Sequence, residues 1–386
     1  MLYRFLNLSY FSRVSLVFLF FVILQYPPVS AQEHAQLNPD TLVKHEGETK
    51  NHGAEKFNPG KMIVEHVVDN HEWHIATIGH THVVVPLPIL IIYKGEFHAF
   101  MSGKFRDHAT HESVPYKGFM IPEDGPNKGK IVSVEPVAPG AEAAKVYDFS
   151  ITKTVFAIFL SGFILLFIFI SVANKYKKSP NQAPSGLQNL LEPLILFIRD
   201  DVAKSSIGEK RYERYMPYLL TIFFFILLNN LLGIVPLFPG GANVTGNIAV
   251  TGVMAVCTLI ITSFTGTRYY WAHIVNTPGV PWWLKLPIPL MPVVELIGVI
   301  TKPFVLMVRL FANITAGHII ILGFVSIIII FGQMSTALGI GIGIPTVAFM
   351  VFMDLLELLV AFIQAYVFTL LSALYFGLAF VEAEHH

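Results

Sequence analysis

The sequence predicts an all-α polytopic membrane protein, with about five membrane helices and a small β-containing module at its N-terminal end. Three observations carry that reading. Of the 386 residues, 54% are hydrophobic and 13% charged, the composition of a chain whose solvent is largely lipid. Several apolar runs exceed the roughly 18 residues that a helix needs to cross a hydrocarbon core about 30 Å thick. The stretch from residue 32 to 148, by contrast, is polar and holds 11 of the 15 histidines. Lysine plus arginine balance aspartate plus glutamate at 26 each, so no basic surplus points to nucleic acid. Cys257 is the single cysteine and sits in an apolar run, which excludes an internal disulfide and a thiolate metal cluster. It reads as a small lipid-facing or packed residue.

Residues 1–31 carry Arg4 and Arg13 ahead of the apolar run Val14 to Leu24, then Pro-Pro-Val-Ser-Ala. This is the pattern of a secretory signal cleaved after Ala31; an uncleaved first anchor is the alternative. Residues 32–149 form the expected exported, His-rich domain and its linker. Within it, HVVVPLPILIIYKGEFHAFMSGKF predicts strand, prolyl break and a hairpin turning at Lys94-Gly95-Glu96. His71 with His74, and His80 with His82, have spacings that place imidazoles on one side of a helix or strand. With no cysteine and no fixed carboxylate pattern beside them they are weak metal candidates. A solvated His-rich surface is the expected reading, and no cofactor is implied. The run VSVEPVAPGAEA reads as a Pro/Ala/Gly linker.

Residues 150–386 form the membrane domain. The first mature span, Ile151 to Ala173, is followed at once by Lys175, Lys177 and Lys178, charges that belong on the cytoplasmic side and leave the His-rich domain outside. Leu187 to Val202 mixes apolar and acidic residues at helical spacing, which predicts an amphipathic helix on the inner membrane surface. Pro217 to Pro236 and Ile248 to Phe264 are two further spans joined by a Pro/Gly/Asn turn. Arg268, Tyr269, Tyr270, Trp271, Trp282, Trp283 and Lys285 mark an interfacial segment.

The last two helices are expected to be long and steeply inclined. Pro292 to Phe331 is 40 residues, roughly 60 Å as helix, about twice the hydrocarbon thickness, so it either breaks or inclines. The glycine-rich LGIGIGIP then reads as a break, with Pro345 opening a final helix, Thr346 to Phe380.

Arg309 lies in the middle of the first of these helices. A charge there costs about 2.5–3.5 kcal/mol even on lenient insertion scales. Apolar residues continue for many positions on both sides, which argues against a snorkelling anchor. At about 100° per residue, Ala312, Asn313 and Ala316 share the face of Arg309. Glu295 lies near that face about 21 Å away along the axis, and His318 points to the opposite side. On the final helix Glu357 and Gln364 share a face, with Asp354 one turn before Glu357.

At RLFANITAGH the sequence resembles the a subunit of the F-type ATP synthase. The residues that carry the resemblance are Arg309, Leu310, Phe311, Ala312, Asn313, Ala316, Gly317 and His318, with Glu295 and Lys302-Pro303 upstream and Glu357 and Gln364 on the last helix. The resemblance covers roughly residues 150–379. His318 and Glu357 are exchanged relative to the best-known bacterial pattern, and the resemblance implies that the same two chemical groups would still meet across the helices, as in the mitochondrial version of the family. The segment before Ser150 exceeds the usual family pattern.

The resemblance implies the stator subunit of the F0 proton motor, with two offset half-channels that load and unload protons on the carboxylates of a rotating c-subunit ring. Arg309 would keep its charge, draw each passing c-ring carboxylate into its ionised form and separate the half-channels. Asn313 and Gln364 would hydrogen-bond water or Arg309. His318 and Glu357 would relay protons in the half-channel open to the outside, and Glu295 would line the exit. Asp354 either lines a channel or solvates its helix, and Tyr375 either extends the path or marks the interface. The implied partners are the c-subunit ring, the b subunits of the peripheral stalk, the F1 sector and membrane lipid. The chain would be non-catalytic, multi-pass in a bacterial inner membrane, with a periplasmic N-terminal domain and a cytoplasmic C-terminus. A secondary transporter holding an anionic solute on Arg309 is the rival class, but it predicts an internal repeat, and the spans show none.

Overall fold

A computed structural model describes residues 59–60, 62–63, 68–78, 81–106, 113–122, 127–134, 145–178, 183–235, 240–275 and 290–380. The expected signal segment, His80, the core of the Pro/Ala/Gly linker and Trp282, Trp283 and Lys285 lie outside the described residues. The described residues fall into two compact units, one within 157–318 and 350–380, the other within 59–156 and 319–349.

The second unit contains the β module. Strands β1 (Glu72–Ile78) and β2 (Thr81–Pro86) pair antiparallel. Strands β3 (Pro88–Tyr93), β4 (Glu96–Met101) and β7 (Val146–Asp148) form a three-stranded antiparallel sheet in the order β4-β3-β7, and β5 (Phe119–Met120) pairs with β6 (Val132–Ser133). The predicted hairpin is present. Lys94 and Gly95 both have positive φ, 50° and 85°, as a two-residue loop with the twist of the flanking strands requires. Alternation along β3 sends Ile89, Ile91 and Tyr93 inward, where they pack with Phe105, Phe119, Ile131 and Val146.

Among the described residues five helices are long and apolar enough to cross a membrane. They are α1 (Lys153–Lys178), α3 (Tyr212–Ile234), α4 (Ile248–Thr265), α6 (Leu290–Met334) and α7 (Thr336–Leu378). Between α1 and α3 lies α2 (Leu187–Phe197), which runs on through a π-helical segment, Ile198–Lys204, into Ser205–Ile207. Its amphipathic pattern is realised: Leu191, Ile195, Ile198 and Val202 are buried while Leu187 and Leu190 face out. On the polar side Arg199 and Lys204 both pair with Asp200 at 2.7 Å and hold its carboxyl well below the usual range. The short α5 (Arg268–Val275) follows α4.

Helix α3 is the centre of the first unit, with 72% of its most apolar window buried. Helices α6 and α7, at 45 and 43 residues, are the reverse: 11% and 17% of the corresponding windows are buried. Helix α6 does not break, although Pro303 lies inside it. At about 1.5 Å per residue it is over twice as long as the hydrocarbon core is thick, so only a steep inclination keeps it there.

One expectation is overturned. The run LGIGIGIP is not a break, and Pro345 is an interior residue of α7 rather than its start; the chain turns at Ser335, and α7 begins at Thr336. In lipid no water satisfies a backbone that leaves the helix, so the solvent overrides the low helical propensity of glycine. One of these glycines serves packing instead. A Cβ on Gly339 would stand 2.8 Å from the Cα of Gly332, so the bare backbones of α6 and α7 meet at the turn.

Candidate ion-translocation site

Helix α6 packs through Leu306, Leu310 and Ile314, spaced four residues apart and all but fully buried. The adjoining face carries Arg309, Ala312, Asn313 and Ala316, and all four are exposed on the isolated chain. This is the grouping that helical spacing predicts, and among the described residues the polar side chains lie on the side that nothing covers.

Beyond Arg309 the two long helices meet at His318 and Glu357. His318 Nδ1 stands 3.9 Å from Glu357 Oε1, and the Glu357 side chain is 6% exposed. Among the described residues neither Glu357 oxygen accepts a hydrogen bond, so the pair is close without being locked together. Gly317 makes the room: a Cβ there would stand 2.9 Å from Glu357 Oε1. On its other side the His318 ring lies against α3, with Nε2 3.7 Å from where a Cβ on Gly233 would be.

A second polar group lies toward the other end of the same helices. Lys302 Nζ stands 5.9 Å from the centre of the Tyr375 ring, beside a cavity lined by Tyr270, Thr262, Val299 and Leu259. Glu295 is near enough to act on Tyr270: burial pushes that phenol up, and the Glu295 charge adds to the shift. The contacts His318–Glu357 and Lys302–Tyr375 fix an antiparallel register of α6 against α7. In that register Gln364, itself buried, stands level with Ala312 and Asn313, one turn from Arg309. Arg309 is therefore nine residues from His318 and seven from Lys302, about 13 and 10 Å along the axis. Asp354 is exposed, one turn before Glu357 on α7.

The neighbours of this site include residues that periodicity did not single out. Asn230 Nδ2 donates to the backbone oxygen of Ala361 at 3.1 Å, and Thr245 donates to Asn230 Oδ1 at 2.6 Å, all within the buried interior. This chain ties α7 to α3 one turn from Glu357 and one turn from Gln364. A second tie links Tyr218, Thr258 and Ser372 through hydroxyl contacts of 2.9 and 3.3 Å. The available signal was the amide pair Asn229-Asn230 inside an apolar span, where a polar side chain needs a partner.

The histidines of the β module take other positions. His71 Nε2 lies 3.0 Å from Asp148 Oδ2. His74 and His82 stand on β1 and β2 opposite Val84 and Thr77. No group of three or more His, Cys, Asp or Glu side chains that could hold a metal occurs among the described residues.

Comparison with known proteins decides the family. Residues 155–377, more than half of the chain, match the ATP synthase A chain family. The chain belongs to that family. The ATP synthase subunit a of Chloroherpeton thalassium is 47% identical over 247 residues, covering 62% of this chain and 69% of that protein. The ATP synthase subunit a 2 of Prosthecochloris aestuarii is 47% identical over 245 residues, with 62% and 71% covered. The ATP synthase subunit a of Myxococcus xanthus is 42% identical over 244 residues, with 62% and 76% covered. The match runs from the first turn of α1 to the end of α7, so every element carrying Arg309, His318, Glu357 or Gln364 lies inside it. Residues 62–149 match a separate family, described as a domain of unknown function.

Proposed function

We propose that this chain forms the stationary half of the ATP synthase proton path, with two half-channels that load and unload protons on carboxylates of the c-subunit ring. The observation that supports this reading is the separation in depth on the α6–α7 pair. His318 with Glu357 lies on one side of Arg309, Lys302 with Tyr375 on the other, and Arg309 itself is exposed on a face that it shares with Ala312, Asn313 and Ala316.

A proton cannot cross about 30 Å of hydrocarbon alone. A His–carboxylate pair held near 4 Å can pass one between its members, because both groups exchange protons readily and, among the described residues, neither carboxylate oxygen accepts a hydrogen bond. A guanidinium cannot release its proton at any relevant pH, so Arg309 holds a passing carboxylate ionised and blocks a direct leak. Lysine would do this less well, since burial lowers its pKa more readily. Asn313 and Gln364 stand level with that exchange and stay neutral. Glu295, Tyr270 and Lys302 line the other half-path, and Tyr375 closes it against Arg309.

Under this reading residues 1–31 are the signal peptide, 32–149 a periplasmic module and 150–386 the membrane domain of a bacterial inner-membrane protein with a cytoplasmic C-terminus. The c-ring occupies the Arg309 face. The b subunits and the F1 sector complete the complex, and ATP chemistry takes place elsewhere in it. The test is ATP-driven acidification of vesicles carrying Arg309→Ala, with assembled complex quantified beside wild type. The expected outcome is normal assembly with pumping abolished; pumping near the wild-type rate in a fully assembled complex overturns the reading.

A further inference from the structure

The sheet β4-β3-β7 buries one face and leaves the other bare. On the bare face Phe97 and Met101 of β4 are 64% and 46% exposed, and Tyr147 and Phe149 along β7 are 43% and 50% exposed. Between them Leu90 and Ile92 of β3 complete a continuous apolar surface, since Ile92 pairs with both Phe97 and Tyr147, and the N–H of Phe149 donates to Leu90 O at 2.8 Å. Lys94 and Lys145, both exposed, follow at the hairpin end of the sheet. A surface of this kind normally marks an interaction site.

The way this module joins α1 indicates what covers it. Pairing along β7 continues to Ile151, whose N–H donates to Pro88 O at 3.0 Å, and α1 starts two residues later. Asp69 caps that helix from 85 residues away: Thr152 Oγ1 donates to Asp69 Oδ2 at 2.7 Å, and the N–H of Thr154 donates to Asp69 Oδ1 at 3.0 Å. The N–H of Lys153 donates to Asn70 O at 2.9 Å. Trp73 of β1 packs edge-on against Phe156, with ring centres 5.6 Å apart. Phe156 is the second residue of the apolar run by which α1 enters the hydrocarbon. The module thus reaches the depth of the membrane boundary and is fixed there by four separate contacts rather than a flexible tether.

We propose that the face formed by Leu90, Ile92, Phe97, Met101, Tyr147 and Phe149 rests in the headgroup layer of the leaflet where α1 begins, and that its occupant is phospholipid. Aromatic side chains with an apolar body suit that layer. The module is then a membrane-seated foot that orients the outer end of α1, rather than a free extramembrane domain.

The test places the photocrosslinker p-benzoylphenylalanine separately at Phe97, Met101 and Phe149, and at the exposed Lys128 as control, in the assembled complex in native membranes. Irradiation followed by mass spectrometry identifies what is captured. The expected result is phospholipid adducts at Phe149, Met101 and Phe97, at least tenfold above Lys128, with complex assembly unchanged. Adducts to another polypeptide, or yields no higher than at Lys128, overturn the proposal. Neither result bears on Arg309, whose role is tested by pumping.

Discussion

The chain holds two histidine–carboxylate pairs, and their difference is instructive. In the β module His71 and Asp148 are 3.0 Å apart, and the second Asp148 oxygen accepts the Ser150 N–H at 2.8 Å. Burial works to raise the Asp148 carboxyl, but the His71 ring and Ser150 outweigh it and hold the group below its ordinary value. In the membrane, His318 and Glu357 are 3.9 Å apart, and among the described residues neither Glu357 oxygen accepts a hydrogen bond. The first pair is satisfied and rigid, suited to hold β7 beside the loop that precedes β1. The second leaves both Glu357 oxygens open to a hydrogen bond, which is what the proton relay proposed above requires.

The largest expected effect tests the open pair. Glu357→Gln keeps the shape and removes the titrating group, so ATP-driven pumping should fall at least about 100-fold in a complex that still assembles. Near-normal pumping would make the pair structural and erase the contrast. For the closed pair, Asp148→Asn should leave assembly of the membrane helices intact but destabilise the module by about 1.5–3 kcal/mol at neutral pH, the range for a charge-assisted hydrogen bond. The sign follows from the lowered Asp148 value: the stabilisation is present above the ordinary carboxylate range and is lost as pH falls through the lowered one. Thermal melts of wild type and variant should therefore converge in acid. Equal melting gaps at neutral and strongly acid pH would contradict that assignment.

A smaller change sharpens the comparison by closing the space around Glu357. Gly317→Ala puts a Cβ 2.9 Å from Oε1, a contact that forces the carboxylate to move. Overpacking of this kind costs about 1–3 kcal/mol, and pumping should drop roughly tenfold with the ATPase rate of detached F1 unchanged. An unaltered rate would mean that the spacing is not part of the mechanism. The smallest effect concerns the exposed side of the same helices. Phe304 is 57% exposed on α6, and Phe304→Ala should change the thermal stability of the isolated subunit in detergent by no more than about 0.5 kcal/mol. A larger loss would show that this face is covered by the chain itself.

Much of the fold was legible because its signals are local. Five apolar runs of sufficient length gave five helices, with ends moved by a few residues except at the start of α7. Lys94-Gly95 between two apolar strands gave the hairpin, since few residue pairs accept positive φ twice in succession. Arg309, Asn313, Glu357 and Gln364 stood out as polar groups in apolar helix, and the match to the ATP synthase A chain family across residues 155–377 agrees with the resemblance they carry. The start of α7 was misplaced because glycine and proline propensities are calibrated in water, and this segment folds in lipid.

The sequence by itself determined the spans and their order, the turn chemistry and which helices carry charge, because each depends on residues within a few positions of one another. Only the tertiary structure decided that α3 is the buried centre, that α6 turns the face of Arg309 and Asn313 outward and that Glu357 and Gln364 of α7 are buried. It also decided that Asp69 caps α1 and that Asn230 holds Ala361 from 131 residues away. Those partners are chosen by packing, and a hydrogen bond between distant residues leaves no periodicity for a sequence to show.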